Sequence, residues 1–208
     1  MNSMSEAPTA ERAERPVGLR ERKKARTRAV IREHALRLFR EQGYHATTVE
    51  QIAEAAEVSP STFFRYFPTK EDVVIQDDFD PVAIAAFERQ PAGLSPVAAF
   101  RAALAEAYAA LTQEEVARLE ETSVLTMAIP ELRARAVDEL SRTIDVIAQA
   151  AARRTGRDPG DLAVRNLAGA LVGVIMSATM PWAESHHTAD MFERMDAALA
   201  HLEAGLPL

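Results

Sequence analysis

The sequence predicts an all-α protein, and three observations carry that prediction. Alanine is abundant while glycine is scarce, with 8 residues in 208, which favours helix. Apolar residues recur at spacings of three and four along most of the chain, with no stretch alternating at the period of two expected of a strand. Proline and glycine punctuate these segments, at Pro91-Ala92-Gly93, at Pro130 and at Gly156-Arg157-Asp158-Pro159-Gly160. Hydrophobic residues make up 48% and charged residues 26%, a globular balance.

Residues 1–18 are polar, contain Pro8, Pro16 and Gly18, and read as a disordered tail. No secretory signal opens the chain and it has no cysteine, so a cytoplasmic protein is expected, without disulfides or thiolate metal sites. A first helix is expected over residues 20–42, with Ile31, Ala35, Leu38 and Phe39 as its apolar stripe. Gly43 ends it as a left-handed cap, and Tyr44 packs back on its last turn. Thr47 and Glu50 have the spacing of a capping box for a short second helix, whose apolar face is Val49, Ile52, Ala53 and Ala56. Ser59-Pro60 reads as the cap and first residue of a third helix running to about Phe67. Pro68 stops that helix, and Thr69 caps a fourth from Lys70. Longer helices are expected at 81–89, 96–112, 113–128, 131–154, 161–183 and 187–204.

The net charge of −7 conceals a split. Residues 19–70 hold eleven basic and six acidic side chains, a surplus of five, which leaves −12 for the remainder. All three lysines lie in this one segment. Such asymmetry suits a polyanion-binding head on an acidic body, with a solvated basic helix face as the plainer alternative. Two short helices joined by a tight turn, the second opened by Ser-Pro, make a helix-turn-helix signature. Phe63 and Phe67, four residues apart, would anchor the second of them, leaving Ser61, Thr62, Phe64, Arg65 and Tyr66 outward.

Residues 47–72, TTVEQIAEAAEVSPSTFFRYFPTKED, resemble the DNA-binding head of the TetR family of bacterial regulators, most specifically from Val58 to Lys70. The resemblance implies a homodimer whose two recognition helices enter successive major grooves of a palindromic operator. It also implies a larger C-terminal domain that binds an effector and forms the dimer. Domains are therefore expected at 19–70 for the head and 71–208 for the body. Matched residue by residue, the resemblance implies DNA contacts from Thr48, Ser61, Thr62, Phe64, Arg65, Tyr66 and Lys70, with Phe63 and Phe67 buried. The run RERKKARTR, residues 20–28, is placed to add phosphate contacts, as an arm along the minor groove. This chain departs from the family where Glu57 stands in place of the frequent glycine before Val58. FFRYFPTKEDVV with the following Asp77-Asp78-Phe79-Asp80-Pro81, and IPELRARA at 129–136, resemble the subgroup of the mycofactocin-system regulator, which implies an acyl-CoA-like ligand.

Within the body, Phe100, Leu104, Tyr108, Leu125, Met127, Ile144, Met176 and Met180 are candidate effector-lining residues, each also readable as plain core. Arg133, Arg135 and Arg142 are candidates for ligand phosphates, or a solvated face. The nearly uncharged run 167–183 is short for a membrane span, is broken by Ser177, Thr179 and Pro181, and lacks basic flanks. Burial in a protein interface is expected of it instead, through Gly169 and Gly173. Phe192, Met195, Leu199 and Leu202 would supply the matching seam of a four-helix dimer interface, unless they serve an internal core alone. Glu184, His186 and His187 lack metal-site spacing, and no phosphate loop or nucleophile elbow is present. No enzyme activity, cofactor or membrane association is expected; the competing class is a helical ligand-binding or enzymatic protein with a relic head.

Overall fold

The computed structural model describes residues 18–76, 79–184 and 190–208. The chain divides into two compact units, one ending at Tyr66 and the other spanning Phe67–Leu208. The expected head boundary at residue 70 thus lies four residues into the second unit. Among the described residues there are ten helices and no strand.

The first unit holds α1 (Leu19–Gln42), α2 (Val49–Ala55) and α3 (Pro60–Tyr66). α1 buries Ile31, Arg32, Ala35, Leu36 and Phe39. Leu36 therefore takes the place expected of Leu38, because the buried face follows the 31–35–39 row and its 32–36 neighbour. Residues 20–28 are helical rather than an extended arm. Gly43 ends α1 with its N–H on the Phe39 carbonyl at 3.0 Å, but at φ 86° and ψ 155° it lies outside the left-handed helical region expected of it. That combination is accessible essentially to glycine alone. Tyr44 does pack back on Phe39, with ring centroids 5.1 Å apart.

The cap of α2 is Thr48, not Thr47. Its Oγ accepts the Gln51 N–H at 3.2 Å while the Gln51 side chain accepts the Thr48 N–H at 2.9 Å, so Gln51 closes the box one residue later than expected. Thr47 is instead buried, donating to the Gly43 carbonyl at 2.9 Å and accepting from Gln42 at 3.1 Å. Ser59 caps α3 by accepting the Thr62 N–H at 3.1 Å.

The second unit holds α4 (Asp72–Ile75), α5 (Phe79–Arg89), α6 (Pro96–Ala109), α7 (Gln113–Ala128), α8 (Pro130–Thr155), α9 (Leu162–Glu184) and α10 (Met191–Glu203). α4 begins two residues after the expected Lys70, while Thr69 caps the turn before it as expected: its Oγ accepts the Asp72 N–H at 3.2 Å and its N–H donates to the Asp72 carboxylate at 3.1 Å. The expected start of the last helix falls in 185–189, outside the described residues; the described helix begins after Asp190, whose carboxylate accepts the Phe192 and Glu193 N–H groups. Ser95 caps α6, and Thr112 with Glu115 forms a capping box on α7 that holds the Glu115 carboxyl below its ordinary pKa through bonds from the Thr112 backbone and hydroxyl.

The main core is small-residue packing. Ala99, Ala103 and Ala107 of α6 share one buried cluster with Ala148, Ala150 and Ala151 of α8 and Ala168 of α9, together with Phe87, Phe100, Leu104, Leu171 and Leu199. Arg154 at the end of α8 secures the loop between α5 and α6, donating to the carbonyls of Gln90, Pro91 and Leu94 above the Phe87 ring. Arg101 joins α6 to α10 by a fork on Asp196, both bonds 3.0 Å, and a third bond to Glu203 at 2.7 Å. By length and composition α9 could cross a bilayer, but it buries Ala168 and Leu171 completely within this helical unit. Replacing Gly43 by Ala should lower the unfolding free energy by about 1–3 kcal/mol, the cost of a side chain in that backbone region. Urea denaturation checks this, and an unchanged midpoint would contradict the Gly43 geometry.

Candidate nucleic-acid interface and effector site

A seven-residue helix has too few internal bonds to persist alone. α3 therefore depends on Phe63, which has no exposed surface, and on a bond from the Arg28 guanidinium to the Tyr66 carbonyl at 3.3 Å. A cation on the last carbonyls also suits the helix dipole. Arg28 thus supports the helix rather than reaching outward as sequence reading expected. Away from Phe63, α3 leaves Ser61, Phe64 and Arg65 exposed, with Thr62 and Tyr66 half-buried. Phe64, 49% exposed, stands edge-on to Phe63 at 5.5 Å, and the Arg65 guanidinium lies 5.4 Å from the Tyr66 ring centroid. The Ser59 hydroxyl lies 2.9 Å from that of Ser61 and 3.0 Å from that of Thr62, so these small polar groups form one local network.

The first turns of α1 carry Arg20, Arg22, Lys23, Lys24 and Arg26, all exposed, with Glu21 as the acid among them. Cations at a helix N-terminus oppose its dipole. Helix stability does not account for them, whereas a polyanionic partner does. Glu57, in the turn before α3, has φ 54°, a left-handed conformation at the position where the resemblance implies a frequent glycine. Lys70 lies in the second unit, before α4, and Thr48 is exposed at the start of α2.

In the second unit, Phe100 and Leu104 are 4% exposed and belong to the main core. α7 is different. Of its sixteen residues Thr122 alone is buried. Leu119, Val124 and Met127 pack partly against a second small cluster of Trp182, Ala183 and Met191, while Leu140, Ile144 and Met176 pack partly against the main core. Met195 touches both. Leu125 and Met180 are likewise half-buried. Hydroxyls along α7 and α9 are spent on helix carbonyls: Thr122 on Arg118 and Leu119, Ser123 on Leu119, Thr126 on Thr122, and Thr179 on Ile175. The Tyr108 ring stacks on Phe192 at 4.4 Å, and burial, with Asp190 and Glu120 nearby, raises its phenol pKa and keeps it a donor.

The three arginines read as phosphate candidates or a solvated face have partners within the second unit. Arg135 is held by Asp72 and Glu139, Arg142 lies 3.5 Å from Glu139, and Arg133 donates to the Met127 carbonyl. The α10 seam does not face outward as a whole: Leu199 is 1% exposed inside its own core, which Phe192, Met195 and Leu202 also pack against. Gly173 is exposed and Gly169 half-buried on α9, and an added Cβ at either would meet nothing within 4 Å. Among the described residues no metal-binding group occurs; His186 and His187 lie outside them.

Residues 31–76 match the family described as bacterial regulatory proteins of the TetR family, and residues 94–207 match the MftR C-terminal domain. The chain belongs to the TetR family. It is a transcriptional regulator with an N-terminal helix-turn-helix and a C-terminal helical domain. It is 27% identical over 187 residues to MftR of Mycobacterium tuberculosis, named for mycofactocin biosynthesis, covering 89% of this chain and 93% of that one. It is 52% identical to TcmR of Streptomyces glaucescens over 93 residues, which span 41% of TcmR. The crystal structure of Thermus thermophilus FadR, a TetR-family repressor in complex with lauroyl-CoA, superposes with a TM-score of 0.56 and 28% identity, covering 87% of this chain and 95% of that one.

Glu57 holds a left-handed backbone and places a carboxylate in the turn before α3. Glu57→Gly should raise unfolding stability by up to about 1 kcal/mol and tighten DNA binding. Glu57→Gln should tighten binding without the stability gain. Urea titration and DNA titration at low salt separate the two effects; equal DNA affinity in all three proteins would remove the charge argument.

Proposed function

We propose that this regulator is a cytoplasmic homodimeric repressor that holds a palindromic operator and releases it when an acyl chain, carried as an acyl-CoA, enters the second unit. The observation that carries the DNA half is the exposed Ser61, Phe64 and Arg65 row on α3, in the same unit as the basic start of α1. Phosphate contacts set register and affinity, and base contacts specify sequence. Arg65 is the side chain on α3 able to grip guanine O6 and N7 together, and Phe64 suits a thymine methyl. Thr48, Tyr66 and Lys70 are assigned to phosphates. One head touches few phosphates, so two heads about 34–36 Å apart are needed for a specific site.

The effector half rests on half-buried residues of α6 to α9: Tyr108, Leu125, Met127, Ile144, Met176 and Met180. With nearby hydroxyls already bonded to helix carbonyls, an apolar chain desolvates little polar surface on entering. The likeness to the lauroyl-CoA-bound repressor supports the same ligand class. Release requires that the ligand bind the DNA-incompetent arrangement more tightly than the competent one. The dimer face is assigned to Gly169 and Gly173 of α9, where small residues allow close helix approach, with the edges of Phe192, Met195 and Leu202 beside them.

Arg65→Ala should relax preference at one base pair by about 1–3 kcal/mol and leave the salt slope nearly unchanged, whereas Lys70→Ala should weaken all sequences alike and lower the slope by roughly one. Salt-titrated binding to DNA selected from a random pool checks both. The absence of any specific retardation at physiological salt would mark the head as a relic. Lauroyl-CoA added to the wild-type complex should release the DNA; continued binding at saturating lauroyl-CoA excludes that ligand. Gly173→Trp should leave the helical content intact, because the site is open in one chain, and convert the dimer to a monomer by light scattering.

A further inference from the structure

Tyr108 stands in the last turn of α6, with its ring engaged and its hydroxyl not. The ring stacks on Phe192 of α10, centroids 4.4 Å apart and planes 14° from parallel. Phe192 itself packs against the main core. This contact places the hydroxyl, because a tyrosine side chain has only two torsions to vary. Two carboxylates act on it, Asp190 before α10 and Glu120 of α7, and neither hydrogen-bonds it. The Asp190 carboxylate is already committed, accepting the Phe192 N–H at 2.7 Å and the Glu193 N–H at 3.1 Å. Burial and then these two charges raise the phenol pKa, so the group stays an uncharged donor.

The neighbouring elements are apolar. Leu119 and Met127 of α7 and Met195 of α10 pack against the buried Trp182 and Met191. Thr122, Ser123 and Thr126 of α7 donate to carbonyls of their own helix. Tyr108 differs from them, since no hydrogen bond acts on its hydroxyl among the described residues. A half-buried donor in this setting suits an acceptor brought by a ligand. The sign of the local charge selects the kind of acceptor. Both charges acting on the hydroxyl are negative, so a carboxylate or phosphate oxygen there would face repulsion. An uncharged carbonyl oxygen would not. An apolar chain headed by a carbonyl, as in an acyl thioester, meets both conditions.

We propose that the Tyr108 hydroxyl donates to the thioester carbonyl of the bound acyl group, while Glu120 and Asp190 turn away the free acid. Tyr108 is then a specificity-determining residue of the effector site and not simply part of its wall. This rests on the acyl-CoA reading, and the experiment separates the two. Four full-length proteins are titrated by calorimetry without DNA: wild type, Tyr108→Phe, Phe192→Leu, and the double variant Glu120→Gln with Asp190→Asn. Tyr108→Phe keeps the stack and removes the donor; Phe192→Leu keeps the donor and removes the stack. Asn at 190 can still cap α10. The probes are lauroyl-CoA, S-dodecyl-CoA, which has the same chain length but no carbonyl, and sodium laurate.

Wild type should prefer lauroyl-CoA to S-dodecyl-CoA by about tenfold, or about 1.4 kcal/mol. Tyr108→Phe should bind the two within about twofold, with its S-dodecyl-CoA affinity unchanged from wild type. Phe192→Leu should retain a preference of less than about threefold. Laurate should bind wild type at least about a hundredfold more weakly than lauroyl-CoA, and the double variant should recover about tenfold of that loss. An undiminished preference in Tyr108→Phe overturns the role of the tyrosine and leaves the acyl-CoA reading standing. Should that variant fail to fold, an undiminished preference in Phe192→Leu does the same. Laurate that gains nothing in the double variant overturns the role of the carboxylates. A wild type that binds no lauroyl-CoA overturns the inference and the acyl-CoA reading together.

Discussion

The DNA-facing function rests on keeping seven residues helical while most of their side chains face water. α3 lacks the length to do this through its own hydrogen bonds, so its conformation is set from outside: by Phe63 beneath it, by the Ser59 cap before it and by Arg28 on its last carbonyl. That division of labour leaves Ser61, Phe64 and Arg65 exposed. A head of this kind spends its apolar residues and one arginine on stiffness, and the rest of its surface is available for recognition.

The second unit applies the opposite principle at its two clusters. Around α6 and the ends of α8 and α9, alanines on facing helices allow close approach, and large side chains fill defined gaps. Along α7, the middle of α8 and the second half of α9, burial is partial, with Met127 on α7 and Met176 and Met180 on α9. Unbranched, polarisable Met side chains conform to irregular space. A rigid end and an adaptable end in one helical unit are what a protein needs to bind an apolar molecule while keeping its own fold.

Charge follows the same logic of place. The chain is acidic overall, yet the start of α1 is basic and exposed at the helix end where cations are least favourable. In the second unit arginines are largely consumed in holding elements together: Arg101 between α6 and α10, Arg154 on the loop after α5, Arg135 between α8 and α4. An arginine in a run of sequence therefore carries no single meaning; its partner decides whether it is a fastener or a contact.

Periodicity and capping chemistry are local, written within about four residues, and those features were legible in the sequence. They predict helices at nearly their observed bounds, the Ser59 cap, the buried Phe63 and the outward row of α3. They fail by one step where two local solutions compete, as when Gln51 rather than Glu50 closes the box on α2. Which apolar face meets which neighbour is not local. Leu199 and Phe100 fit an interface or a pocket equally well by spacing, and only the packing of α6, α9 and α10 assigns them to the core. The bond between Asp72 and Arg135 joins residues 63 apart, a pairing that no short window contains. Sequence alone determined the helices and the exposed row of α3, because neighbours in the chain specify them; tertiary structure alone decided the cores and the pairing of Asp72 with Arg135, because those depend on which distant helices come to share a face.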